Sequence, residues 1–326
     1  MTDAAARAPR LGPASRTAKA SICVRPNRHC LLLALHLLTL PKVRALWLTF
    51  GFLLAACSGS TESYSSDAER GSTHALVTVE RRDVLGTADS AQAKAFASFA
   101  RTPPDVDASV VTRIAGLELD LPDVGECRTA AREPEGALSP LPRVDLLDAG
   151  DVALETPEAR VVLAPRAFPA VTNLVAGVVY TTRDRVAALP PGEPYALSVA
   201  GSPPLGPLSV SAEAPAALDE LTLDGDPLVP DSVLPSDGAE LGWKRGSARD
   251  LVYVIVASAD GARHAICAFR DDAGHGVLPA SAVPASPSAS LSLHRLRTYS
   301  LAPTGSVDAG ELRFDFELVA RVAVVR

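Results

Sequence analysis

Apolar and polar positions alternate with a period of two over much of the chain. Leu117-Glu118-Leu119-Asp120-Leu121 alternates without a break. So does Val152-Ala153-Leu154-Glu155-Thr156, which follows the turn-forming run Asp148-Ala149-Gly150-Asp151. Residues 75–79, 160–163, 175–182 and 195–199 read as further strands, each bounded by Pro, Gly or Asp. The stretch 91–101, alanine-rich with Phe96 and Phe99, fits a helix or a strand. Residues 107–116 predict one short helix, with Asp107 as its cap, Val110, Val111 and Ile114 as its apolar stripe, and Gly116 just past its end. After Gly201-Ser202-Pro203-Pro204-Leu205-Gly206-Pro207 the strand rhythm restarts at 208–211, 220–223, 241–243 and 251–256. It continues at 262–269, 276–279, 290–299 and 311–325, with a hairpin about Ala259-Asp260-Gly261. In the last strand Leu312, Phe314 and Phe316 face one way and Arg313, Asp315 and Glu317 the other. Short strands separated by regular turns predict a mainly β fold. The Pro/Gly link divides it into two tandem β-sandwich domains, 74–204 and 205–326.

One stretch breaks the period. Lys42-Val43-Arg44 precedes an apolar run from Ala45 to Ala56, then Cys57, and the chain turns polar at once. The run has the length of a signal-peptide core, about 7–15 residues, and is shorter than the roughly 20 residues that span a bilayer. The other reading joins it to the apolar run 31–40 as one membrane or core helix, which His36, Pro41, Lys42 and Arg44 interrupt. Leu54-Ala55-Ala56-Cys57 resembles the bacterial lipobox. That resemblance implies cleavage before Cys57, lipidation of its sulfur and acylation of the new amino end. Ser58 rather than Asp after the cysteine implies the outer membrane. Residues 42–56 are then the signal peptide and 57–73 a Ser/Thr-rich tether. Residues 1–41, rich in Arg and with a single acid, fit no part of such a signal. The expectation is that translation starts near Leu40 or Val43 and that Cys23 and Cys30 are not in the protein.

Charge narrows the partners. The chain carries 31 basic and 38 acidic residues; eight of the basic residues and one acid lie in 1–57, so the remainder has a net charge of −14. An acidic body of that size repels phosphate backbones, which argues against a nucleic-acid partner. The membrane, reached through the anchor, and a protein of the cell envelope are the partners expected.

Leu241-Gly242-Trp243 followed by a strand centred on Tyr253 resembles fibronectin-III and immunoglobulin-like sandwiches over residues 240–269. Taken whole, the lipobox, tether and two sandwiches resemble predicted outer-membrane lipoproteins of myxobacteria. That resemblance implies a location and no particular activity or cofactor.

Candidate chemistry is sparse. Cys127 and Cys267 are the cysteines beyond Cys57; in an oxidising envelope they form a disulfide, which would contribute ~4–5 kcal/mol on the chain-entropy account, or they are two buried thiols. His264, Cys267, Asp271, Asp272 and His275 fall close together and include metal-ligand types. Their spacing matches no standard zinc pattern, and Asp271-Asp272-Ala273-Gly274 reads equally as a turn. Asp224-Gly225-Asp226 has the start of a calcium loop without its remaining ligands, and also reads as a turn. Arg295 and Arg297 share a strand face, where they bind an anion or pair with acids of neighbouring strands. G-x-S-x-G, H-E-x-x-H, P-loop and G-x-G-x-x-G motifs are all missing from the sequence. No catalytic residue is assigned. The expected role is a lipid-anchored binding or structural module; the alternative is an envelope hydrolase assembled from scattered residues around His264 or His275.

Overall fold

The computed structural model describes residues 71–87, 91–103, 106, 109–114, 118–129, 144–171, 175–183, 188–303 and 306–326. Cys57, the signal peptide and nearly all of the tether lie outside them. The protein is mainly β, and Ser65–Arg326 forms one compact unit. The strands before the Pro/Gly link are β1 (Ser72–Val84), β2 (Gln92–Thr102), β3 (Cys127–Thr129), β4 (Val144–Leu146), β5 (Val152–Glu155), β6 (Arg160–Val171), β7 (Val175–Thr181) and β8 (Pro194–Val199). Those after it are β9 (Leu208–Glu213), β10 (Thr222–Leu223), β11 (Asp226–Pro227), β12 (Ser232–Pro235), β13 (Gly238–Gly242), β14 (Leu251–Ser258), β15 (Arg263–Arg270), β16 (His275–Pro279), β17 (Ser288–Leu301) and β18 (Ala309–Val325). A short helix, α1 (Ser109–Ile114), follows β2.

Among the described residues, fourteen strands form one sheet in the order β3-β15-β14-β17-β18-β1-β2-β4-β7-β6-β5-β8-β9, with β12 pairing beside β18. A second sheet, β11-β10-β13-β16, has four strands. The long β17–β18 hairpin is the spine, because its inward side chains enter two separate cores. Leu301, Leu312, Phe314 and Phe316 pack with Val77, Ala97, Phe99, Leu154, Tyr180, Tyr195 and Leu197. Ala289, Leu291, Leu293, Ala320 and Val322 pack instead with Val254, Cys267, Phe269, Leu223, Leu241, Trp243 and Leu278. Each fully buried Leu, Val or Phe contributes about 1.5–3 kcal/mol, and aromatic edge contacts such as Tyr195 on Phe314 add specificity. The first core draws strands from both sides of the Gly201–Pro207 link, and β1 pairs in parallel with β18 over eleven residue pairs, His74–Ala309 to Val84–Val319.

Two elements differ from the sequence expectation, and one open choice is settled. The ambiguous 91–101 stretch is strand β2: pairing with β1 puts Ala93, Ala95, Ala97 and Phe99 on the buried face. The strictly alternating 117–121 stretch makes no strand in its described part, 118–121. Leu119 and Leu121 instead lie on the apolar outer patch of Tyr253, Ile266 and Ala268, so the alternation covers a sheet without joining its ladder. Strand β6 runs on past Pro165. Its first residues pair with β5 and the rest with β7, so at Pro165 one edge is unpaired, the setting in which a strand tolerates proline.

Candidate functional site

Strand β17 carries buried polar groups on both of its faces. On the inward face, between the two cores, stand Arg295 and Arg297. Arg295 is 2% exposed and its partner Asp271 is 0%. One Arg295 terminal nitrogen donates to Asp271 Oδ1 at 2.8 Å and to the Lys244 carbonyl at 2.7 Å. The other donates to the carbonyls of Ala217 (2.8 Å) and Ala216 (3.3 Å). Arg297 grips Asp250 with two bonds, Nε to Oδ1 at 2.5 Å and Nη2 to Oδ2 at 2.7 Å, while Nη1 reaches the Glu213 and Ala214 carbonyls. These bonds from Asp250 hold the Arg297 guanidinium above its ordinary pKa. Burial pushes the Asp271 carboxyl up, and Arg295 pulls it back. The two side chains thus fasten the segment after β9, which passes from one core to the other, to the spine.

The outward face is different. Register places Gln92, Arg82, Glu317, His294, Tyr253 and Ala268 in one row across β2, β1, β18, β17, β14 and β15. Lys94, Glu80 and Asp315 form the start of the next row. His294, 8% exposed, stacks on Tyr253 with ring centres 4.2 Å apart and planes at 11°. Asp315 ties the pair together: Tyr253 donates its hydroxyl to Oδ2 at 2.6 Å, and His294 Nδ1 lies 2.9 Å from Oδ1. Burial, then the Asp315 charge, push the Tyr253 hydroxyl far above its ordinary pKa, so it stays a donor. The other ring nitrogen, Nε2, stands toward Glu317. That nitrogen is buried without a hydrogen-bond partner, and Glu317 Oε1 is 3.9 Å away. His294 and Glu317 line a cavity of about 160 Å³, whose walls also carry Glu80, Arg82, Gln92, Lys94 and Asp315. Arg82 reaches Glu317 at 3.5 Å and Lys94 reaches Glu80 at 2.7 Å, both from exposed positions.

The residues singled out in the sequence are distributed rather than gathered. Cys127 and Cys267, opposite each other on β3 and β15, are joined by a disulfide. His264 Nε2 contacts the Ser281 carbonyl and the exposed His275 Nδ1 the Ala273 carbonyl, each at 3.2 Å. Among the hydrogen bonds of the described residues neither ring meets a serine hydroxyl or a carboxylate. Asp271 is spent on Arg295. Asp272 pairs with Arg270 at the surface, and that hydrogen bond holds its carboxyl below the usual range. Among the described residues no three His, Cys, Asp or Glu side chains are grouped as metal ligands. Asp224 and Gly225, at φ 52° and 85°, make the tight turn between β10 and β11, and Asp224 Oδ1 accepts the Glu240 N–H at 2.7 Å. Arg295 and Arg297 are occupied by carboxylates, not open to an external anion. His294 carried no motif. Its only sequence signal was position: between Leu293 and Arg295 it faces the same side as Asp315 and Glu317.

No family of known proteins matches the chain, and no curated protein matches it. Among solved structures, the chain is similar to the Fcho1 mu homology domain of Danio rerio with bound Eps15 peptide, at 10% identity, over 79% of this chain and all of that one. The TM-score of 0.25 is too low to transfer detail of fold or function.

Proposed function

We propose that this is a lipid-anchored protein of the cell envelope, held in the outer membrane through Cys57, whose β body works as a binding module. The observation that carries the binding reading is the outer-face cavity. A five-strand platform there holds a buried histidine whose Nε2 has no hydrogen-bond partner, beside a cavity walled by charged side chains. The finer reading of the fold is two immunoglobulin- or fibronectin-III-like sandwich units, one around each core. It is supported by the two layered cores and by the Leu241-Gly242-Trp243 strand leading into the Tyr253 strand.

Two experiments test the proposal. Metabolic labelling with palmitate should mark the wild type and not Cys57→Ser; equal labelling of both sinks the anchor. A chemically mixed panel of fragment-sized compounds, added to the lipidated chain in detergent, should contain members that shift the His294 ring resonances. Silence across the panel sinks the binding reading.

A further inference from the structure

A second groove on the outer face of the β17–β18 spine lies beyond the His294 cavity, and neither reading depends on the other. It encloses about 620 Å³ and is lined, among the described residues, by Arg82, Asp231, Ser290, Val319 and Arg321 together with the tip of the β14–β15 hairpin. Register orders its floor. Arg82 stands beside Glu317, Val84 beside Val319, and Arg321 two residues further along β18, opposite Ser290. The two arginines therefore flank an apolar step, their Cα atoms about 14 Å apart at the usual strand rise and spacing. Val84, within that step, is 37% exposed.

The charges at both ends are free to take a ligand. The body is acidic, and other cations of the same face are spent on its carboxylates: Lys94 meets Glu80 at 2.7 Å and Arg313 meets Glu311 at 2.6 Å. Arg321 forms no ion pair among the described residues. The Arg82 side chain is 57% exposed and its contact with Glu317 is long, 3.5 Å, which leaves most of its N–H donors open. Asp260, at the hairpin tip, is occupied by the Ser258 hydroxyl and the Ala262 N–H. Asp231 is the one carboxylate on the described lining, so two arginines against it leave the groove a net charge of +1. Each guanidinium presents a planar fork that matches a carboxylate, and the Ser290 hydroxyl beside Arg321 is a further donor. A ligand anionic at both ends and apolar between them fits this order. A single oxyanion would leave one arginine and the valines unused, and a diamine would meet two like charges.

We propose that this groove binds a short-chain dicarboxylate, one carboxylate on Arg321, the other on Arg82, and its methylenes over Val84 and Val319.

The test is titration calorimetry on the lipidated chain in detergent, with glutarate, butyrate, inorganic phosphate and cadaverine as probes. Glutarate should bind saturably and about tenfold tighter than butyrate, the gain of one charge-assisted contact. Cadaverine should give no binding heat. Arg321→Gln and Arg82→Gln, both at exposed positions, should each weaken glutarate about tenfold and bring it level with butyrate. Arg321→Lys, which keeps the charge and loses the fork, should fall between the wild type and Arg321→Gln. Arg160→Gln removes a surface partner of Glu155 on another part of the sheet and should change nothing. An unaltered thermal unfolding curve for each variant confirms that the loss is local. Butyrate binding as tightly as glutarate, phosphate binding more tightly than either, or glutarate binding indifferent to both glutamine variants overturns the proposal. So does the absence of saturable heat from every probe, and the fragment panel on His294 judges the other cavity separately.

Discussion

His294 and Arg295 are neighbours in one strand, both buried and both polar, yet their surroundings have opposite character. The Arg295 guanidinium has a carboxylate and three carbonyls on its terminal nitrogens. The His294 ring has one hydrogen-bond partner, Asp315, and its other nitrogen is buried without one, 3.9 Å from Glu317 Oε1. The contrast separates two uses of buried polarity. At Arg295 both terminal nitrogens are engaged, although its Nε and Asp271 Oδ2 are buried without a hydrogen-bond partner, and the group fixes the chain's path between the cores. At His294 the partnerless nitrogen belongs to a ring stacked on Tyr253 beside the outer-face cavity, and an unpaired buried polar atom carries a desolvation cost.

The contrast can be tested from the largest effect downward. Arg295→Ala strands the Asp271 carboxylate in the core and releases three carbonyls, and should cost about 3–5 kcal/mol in denaturant unfolding. Gly246→Ala should cost about 1–3 kcal/mol, since an added Cβ would fall against Asp271 Oδ2 and disturb the same pair. His294→Phe keeps the stack on Tyr253 and gives up one hydrogen bond, for about 1 kcal/mol; a loss as large as that of Arg295→Ala would erase the distinction between the two faces. The smallest effect belongs to Asp148. The Gly150 N–H at 2.9 Å and then the Tyr180 hydroxyl at 2.7 Å lower its pKa. A carboxyl with a depressed folded-state pKa contributes stability that is complete above its unfolded value and lost as pH falls through the folded one. Asp148→Asn should therefore flatten the acid limb of the stability profile below about pH 4 and leave neutral stability within about 1 kcal/mol.

The sequence disclosed strands better than partners. Alternation located β17 and β18 and the two faces of β18, because a strand with one buried side must repeat with period two. It could not reveal that β1 pairs with β18, since parallel pairing across such a separation leaves no local trace. Pro165 hid the second half of β6, because whether a proline breaks a strand depends on which edge is paired. The same limit governed the sites. Arg295 and Arg297 were visible as a pair on one face, but Asp271 and Asp250 became their partners only through the turn after β15 and the approach to β14. His294 was one histidine among several until four neighbouring strands aligned Tyr253, Glu317, Arg82 and Gln92 beside it.

The parallel pairing of β1 with β18 also bears on mechanics. Were the proposed anchor at Cys57 to suspend the body by its leading end, drag would be felt as tension on Ser72. β1 lies inside the sheet, bonded to β18 on one flank and β2 on the other, so such tension loads its ladder bonds together, in shear, rather than opening them one after another. Under the proposed anchoring, β1 would accordingly resist being peeled from the sheet one bond at a time.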